Sequence, residues 1–107
     1  MLFIDINVFK EVNDSYGHGK GDDLLSDLGE ILSGYINKEY LPSRIGGDEF
    51  MVYVPGDDVM HASIISESII SDFEKAIQRQ GLSDIKGLGL SIGIGQITEM
   101  FTLEAYD

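Results

Sequence analysis

The chain has 107 residues, 43 % of them hydrophobic, with 19 acids against 7 bases for a formal charge of −12. That size suits a single domain with a modest core. The lack of cysteine excludes disulfides and thiolate metal sites, and the acidic balance excludes the basic face that nucleic-acid binding requires. No apolar stretch approaches the ~20 residues of a membrane span. Met1-Leu2-Phe3-Ile4-Asp5 also lacks the basic lead of an export signal. A cytoplasmic segment without membrane insertion is expected.

The first element is a short strand, Leu2 to Ile6, where aliphatic residues alternate with Phe3 and Asp5. Asn13 to Gly21 (NDSYGHGKG) is rich in glycine and turn formers and reads as a loop. A helix should start at Asp22 or Asp23, where an acid caps free N–H groups. It should continue through Leu24, Leu25, Leu28, Ile31, Leu32, Tyr35 and Ile36. A hairpin follows: Arg44-Ile45 leads in, Gly46-Gly47-Asp48-Glu49 turns, and Phe50 to Val54 leads out. A second helix runs from about Asp57 to Arg79, with Val59, Met60, Ile64, Ile65, Ile69, Ile70, Phe73 and Ile77 as its apolar face and Gly81 as its stop. Leu88 to Ile97 alternates as a last strand. The order β-α-β-β-α-β is a split βαβ arrangement, so the fold class is α+β: ferredoxin-like, with helices packed on one face of an antiparallel sheet.

The residues that carry chemistry fall in three segments. Asp5 interrupts an apolar strand. An acid in a strand core needs a partner, and both a metal ion and Arg44 would serve. Asp48 and Glu49 follow two glycines that let a ligand approach the backbone closely, although Gly-Gly-Asp-Glu is also ordinary turn chemistry. If the first strand and the hairpin are neighbours, the three acids meet at one edge. Mg²⁺ takes one or two carboxylates plus substrate phosphates, and a pair of such ions ~3.5–4 Å apart serves in-line phosphoryl displacement. The turn from Val8 to Lys10 offers unpaired N–H groups and a cation to phosphate oxygens, or merely a solvated lysine. Asn13 and Asp22 carry the donors and acceptors that match a guanine edge, while an Asx turn and a helix cap explain them equally well.

Other motifs fail. Asp5-x-Asn7 opens like a calcium-binding loop, but Phe9 and Lys10 stand where an oxygen ligand and a glycine belong. Gly17-His18-Gly19-Lys20-Gly21 lacks the spacing of a nucleoside-triphosphate P-loop. His18 and His61 share no ligand spacing.

Together these segments resemble the GGDEF family of diguanylate cyclases. FIDINVFKEVNDSYGHGKGDDLL is similar to the family's first long motif, SRIGGDEFMVYVPG contains its naming motif behind the usual Arg44, and LGLSIGIG is similar to its late strand. The resemblance spans nearly the whole chain. It implies a nucleotide-cyclase palm that joins two GTP molecules across a homodimer, each 3′-hydroxyl attacking the α-phosphate of the other GTP and releasing pyrophosphate. It implies that Asp5, Glu49 and the Ile6 carbonyl hold Mg²⁺, two ions per site with Mn²⁺ as a substitute. Asp48 becomes the other acid of the metal site and a candidate to help deprotonate the 3′-hydroxyl. Val8, Phe9 and Lys10 then line the phosphates, Asn13 and Asp22 recognise guanine, and Gly46 and Gly47 border the substrate. The alternative within the family is a non-catalytic GTP-binding regulatory module. Fused sensor or EAL-type domains are expected in the full protein.

Three departures stand out. Asn7 replaces a frequent acid, with little expected effect. Asn37-Lys38-Glu39-Tyr40 lacks the Arg-x-x-Asp of the family's product-inhibition site, so no such inhibition is expected. The 1–107 segment reads as a partial domain. It lacks the family's N-terminal helix, as well as the Lys and Arg that grip the phosphates beyond a final helix opening at Ala105-Tyr106-Asp107.

Overall fold

Leu2, Ile4 and Ile6 are buried while Phe3 and Asp5 between them are exposed, the period-two alternation of a strand with one face in the core. A computed structural model describes residues 1–35, 41–44 (backbone path only), 46–54 and 59–95. In it β1 (Leu2–Asn7) is followed by α1 (Phe9–Tyr16), α2 (His18–Ser33), β2 (Leu41–Arg44), β3 (Glu49–Tyr53), α3 (Val59–Arg79) and β4 (Gly89–Ile94). The four strands form an antiparallel sheet in the order β2-β3-β1-β4. This is the expected α+β split βαββαβ architecture, with an additional short helix after β1.

The core lies between the inner face of the sheet and the helices. Leu2, Ile4, Ile6, Phe50, Val52 and Val54 meet Leu24, Leu28 and Leu32 of α2 and Ile65, Ile69, Phe73 and Ile77 of α3. The outer face carries Phe3, Asp5 and Asn7 on β1, with Met51 opposite Phe3, Glu49 and Ser91 flanking Asp5 and Gly89 opposite Asn7. No described helix is long and apolar enough to cross a membrane.

Three expectations need correction. The stretch from Asn13 to Gly21 is helical apart from Gly17, which takes φ 90° between α1 and α2. Tertiary packing overrides the glycine signal here: Val12 is fully buried and Phe9 packs on the core, which anchors α1. Asp22 consequently sits in the second turn of α2 and does not cap it. Asp5 is not in a strand core, because its parity on β1 turns it to the outer face. On α3 the apolar pattern overstates burial. Val59, Met60 and Ile64 are exposed, and the buried face is Ala62, Ile65, Ser66, Ile69, Phe73, Ala76 and Ile77. The helix stops where expected, with Gly81 at φ 72° just past its end. The segments Asn37–Tyr40 and Ala105–Asp107, Ile45, Ile97 and the start of the second helix near Asp57 lie outside the described residues.

Candidate active site

The register of β1 and β3 puts Asp5 directly opposite Glu49. Ile6 N–H donates to the Asp48 carbonyl at 3.2 Å. The neighbouring Asp5–Glu49 pair is therefore the non-hydrogen-bonded kind, in which facing side chains stand closest. Two like charges across a strand pair repel. Both residues are exposed, and neither carboxylate has a hydrogen-bond or ion-pair partner among the described residues. The four carboxylate oxygens have no counter-charge among the described side chains, and the Arg44 side chain lies outside them. A hollow of about 170 Å³ lies beside them, lined by Phe3, Ile4, Asp5, Glu49 and Phe50.

The hairpin shapes this edge. Gly46 N–H donates to the Glu49 carbonyl at 3.3 Å. A Cβ on Gly46 would stand 3.4 Å from the Glu49 Cβ and 3.6 Å from its carboxyl carbon. Glycine at this position leaves the carboxylate room to move toward a ligand. Gly47 is exposed and Asp48 half-buried. Among the described residues no three acidic or histidine side chains gather as a metal-binding group. A pair of carboxylates still fits the needs of Mg²⁺, which takes one or two of them and fills the remaining positions with phosphates and water.

At the same end of the sheet β1 turns into α1. Val8 adopts φ 54° and ψ 31° and gives no side-chain cap to the helix. The first N–H groups of a helix have no intrahelical acceptor. Left uncapped beside Phe9 and Lys10, they can bind anionic oxygen. Val8 and Lys10 are exposed and Phe9 is half-buried. Gly87, at φ 82°, approaches the Val8 side chain, so the loop before β4 closes over this turn.

Asn13 and Asp22 come together because α1 crosses α2 at Gly21. A Cβ built on Gly21 would collide with the Asn13 amide oxygen and come within 3.2 Å of Phe9 Cζ. Asn13 therefore lies on the bare Cα next to Asp22. Asp22 lines a hollow of about 350 Å³ with Leu25, Ser26, Gly29 and Phe50. Phe50 borders both this hollow and the one beside the acid pair.

Sequence reasoning missed several residues that frame the site. Ser91 faces Asp5 from β4 and donates to Asn7 Oδ1 at 2.7 Å. Its signal was being the one hydroxyl in an apolar strand. Tyr16 donates to Asp84 at 2.7 Å, pinning the end of α1 to the loop before β4. That bond, with lesser help from desolvation and the Asp84 charge, raises the Tyr16 pKa. Outside the site, Tyr35 lies in the turn just past α2, which ends at Ser33 and not at the expected Tyr35 or beyond; it donates to Asp72 of α3 at 2.9 Å, and its pKa is raised mainly by burial.

The family description "Diguanylate cyclase, GGDEF domain" matches residues 1–105. The chain belongs to the GGDEF family. It is 33 % identical over 99 residues to an uncharacterized membrane protein of Staphylococcus aureus strain USA300, covering 92 % of this chain and 28 % of that protein. It spans about 28 % of the curated relatives it matches. Among solved structures, the active GGEEF domain of a diguanylate cyclase from Vibrio cholerae is 25 % identical with a TM-score of 0.68, over 94 % of this chain and 67 % of that one. An EAL/GGDEF domain protein from M. capsulatus is 29 % identical with a TM-score of 0.63, over 86 % and 59 %. Solved GGDEF domains thus share this chain's fold.

Proposed function

We propose that this GGDEF domain is a diguanylate cyclase module that condenses two GTP molecules to cyclic di-GMP and pyrophosphate. The observation that carries this reading is the Asp5–Glu49 pair, two carboxylates placed opposite each other across β1 and β3 and exposed on the outer face of the sheet. Asp5, Glu49 and the Ile6 carbonyl, with Asp48 as the remaining acid, would hold two Mg²⁺, or Mn²⁺ in their place. When bound, such ions neutralise phosphate charge and polarise the reacting phosphoryl group.

The chain's own groups do the rest. The N–H groups of Val8 and Phe9 and the Lys10 ammonium bind phosphate oxygens at the start of α1. Asn13 and Asp22 read the guanine edge, with Asp22 accepting from the ring N–H and exocyclic amine. Gly46 and Gly47 let the ribose end of the substrate approach the hairpin. Asp48 takes the proton of the 3′-hydroxyl. That oxygen bonds to the α-phosphorus of the GTP on the second copy, the α–β phosphoanhydride bond breaks, and pyrophosphate leaves. The reciprocal step closes the ring, so a homodimer is required. GTP supply places the domain in the cytoplasm, and sensor or EAL-type domains on the same polypeptide would control it.

The test is incubation of the whole protein with GTP and Mg²⁺. Cyclic di-GMP forming at one per two GTP supports the reading. Bound GTP with no product would instead identify a non-catalytic regulatory module.

A further inference from the structure

The segment 82–88, between α3 and β4, meets α1 at both of that helix's ends. Leu82 is fully buried and its N–H donates to the Ile77 carbonyl at 3.0 Å, which anchors the segment on α3. The Asp84 carboxylate then accepts the Tyr16 phenol, its two oxygens lying 2.7 and 2.9 Å from the hydroxyl, at the last residue of α1. Gly87 reaches the turn before α1, where a Cβ on it would stand 3.8 Å from Val8 Cγ1. Gly89 pairs with Asn7 as β4 begins. Between the two contacts an open hollow of about 570 Å³ separates Glu11 and Ser15 of α1 from Ile85 and Lys86. The segment is thus a strap that holds α1 at its ends. Among the described residues, the Tyr16–Asp84 bond is the only side-chain hydrogen bond that it makes. Val8 needs such support. Its φ of 54° is a left-handed conformation that a β-branched residue keeps only where the surroundings impose it. That conformation sets where the N–H groups of Val8 and Phe9 point.

We propose that Tyr16 is a positioning residue for the phosphate-binding turn: bonded to Asp84, it holds the strap on Val8 and keeps the N–H groups at the start of α1 aimed at nucleotide phosphates. The proposal rests on the cyclase reading above and adds a residue that touches no substrate. Tyr16 acts over the length of α1, through Asp84 and Gly87. Without the phenol hydroxyl the strap keeps its anchor at Leu82 but loses its hold on the end of α1, and Val8 relaxes toward ordinary backbone. The turn then presents its N–H groups in only a fraction of its conformations, and phosphate affinity falls by that fraction. Asn13 is held separately, against Gly21, so base recognition is spared.

Hydrogen exchange of the whole protein, followed by mass spectrometry, reads the turn without any nucleotide. The peptide spanning Val8 to Lys10 is expected to exchange about fivefold faster in Tyr16→Phe and in Asp84→Ala than in wild type. Asp84→Asn, whose amide oxygen still accepts the phenol, is expected to stay near wild type. Displacement of a fluorescent GTP analogue in the presence of Mg²⁺ then reads the phosphates. Tyr16→Phe and Asp84→Ala are expected to bind α,β-methylene GTP, which cannot lose pyrophosphate, about fivefold more weakly. Their affinity for guanosine monophosphate is expected to change little, and Asp84→Asn is expected to keep both affinities. Unchanged exchange in Tyr16→Phe overturns the strap. Faster exchange with unchanged triphosphate affinity, or equal losses for the two nucleotides, overturns the positioning role. Asp84→Asn as weak as Asp84→Ala overturns it as well, because charge and not the hydrogen bond would then matter. Wild-type protein that binds no fluorescent analogue removes the GTP reading itself, and this proposal with it.

Discussion

Asn13 rests its amide against the bare Cα of Gly21, where a Cβ would also come within 3.2 Å of Phe9 Cζ, so α1 and α2 approach closely at this point. Asp22 is the next residue along α2. Gly21 is buried, so a methyl group there has no outlet. Gly21→Ala is therefore expected to lower stability by about 1–3 kcal/mol through overpacking, although alanine is the better helix former. Urea unfolding measures this, and GTP affinity should fall in parallel as Asn13 is displaced. A Gly21→Ala protein as stable as wild type would mean that the helices part easily.

Asp22 is exposed on α2, so Asp22→Ala should change stability by no more than about 0.5 kcal/mol. Its proposed task is chemical. Removing a charged acceptor of two N–H donors should weaken GTP binding by roughly tenfold or more. ATP offers neither of those donors at the equivalent positions and should lose little. Competition binding with both nucleotides decides the matter, and equal losses would remove Asp22 from base recognition.

Val8 is the one described non-glycine residue with positive φ, at 54°. Left-handed backbone costs an L-residue about 1–2 kcal/mol, and more readily so when the side chain is β-branched. Glycine removes that strain but adds about 0.5–1 kcal/mol of unfolded-chain entropy. Val8→Gly should therefore gain up to about 1 kcal/mol in urea unfolding. It should not tighten GTP binding, since the turn gains freedom. A clear loss of stability would mean that the Val8 contact with the Gly87 loop outweighs the strain.

The Tyr16–Asp84 bond gives a pH signature. The phenol donates to the carboxylate, and losing its proton removes the donor and sets two anions together. The folded-state pKa of Tyr16 is therefore raised above 10.0, first through the hydrogen bond, then desolvation, then the Asp84 charge. A raised pKa stabilises the fold below the unfolded value, and that contribution is lost as pH rises through the folded value. Tyr16→Phe should be less stable than wild type near neutral pH, and the two should converge well above pH 10. Unfolding midpoints across that range test it. A constant difference at every pH would assign the effect to packing.

Much of the fold was legible because β1, β3 and β4 alternate plainly and Gly81 marks the end of α3. The meeting of Asp5 with Glu49 was legible only on condition that the first strand and the hairpin are neighbours, and the β1–β3 pairing meets that condition. Helix α1 and the first turn of α2, on either side of Gly17, were not legible. Gly17, Gly19 and Gly21 look like a loop until one knows that α1 needs Gly21 to pack on α2. Val59, Met60 and Ile64 misled for the opposite reason: their spacing is helical, but burial depends on which side of a helix meets the core. Met60 and Ile64 lie on the side away from Ala62, Ile65 and Ile69, and Val59 is the first residue of α3. Ser91 could not be singled out without the register that sets it against Asp5.

Production of cyclic di-GMP from GTP and Mg²⁺ by the whole protein, measured by mass spectrometry for wild type, Asp5→Ala and Glu49→Ala, tests the central claim most directly. Wild type is expected to form product. Both variants, folded because each side chain is exposed on the outer face, are expected to lose about 100-fold or more of the rate, the equivalent of a few kcal/mol of phosphoryl charge stabilisation. Wild-type turnover in either variant would contradict the assignment of the facing carboxylates to the reacting phosphates.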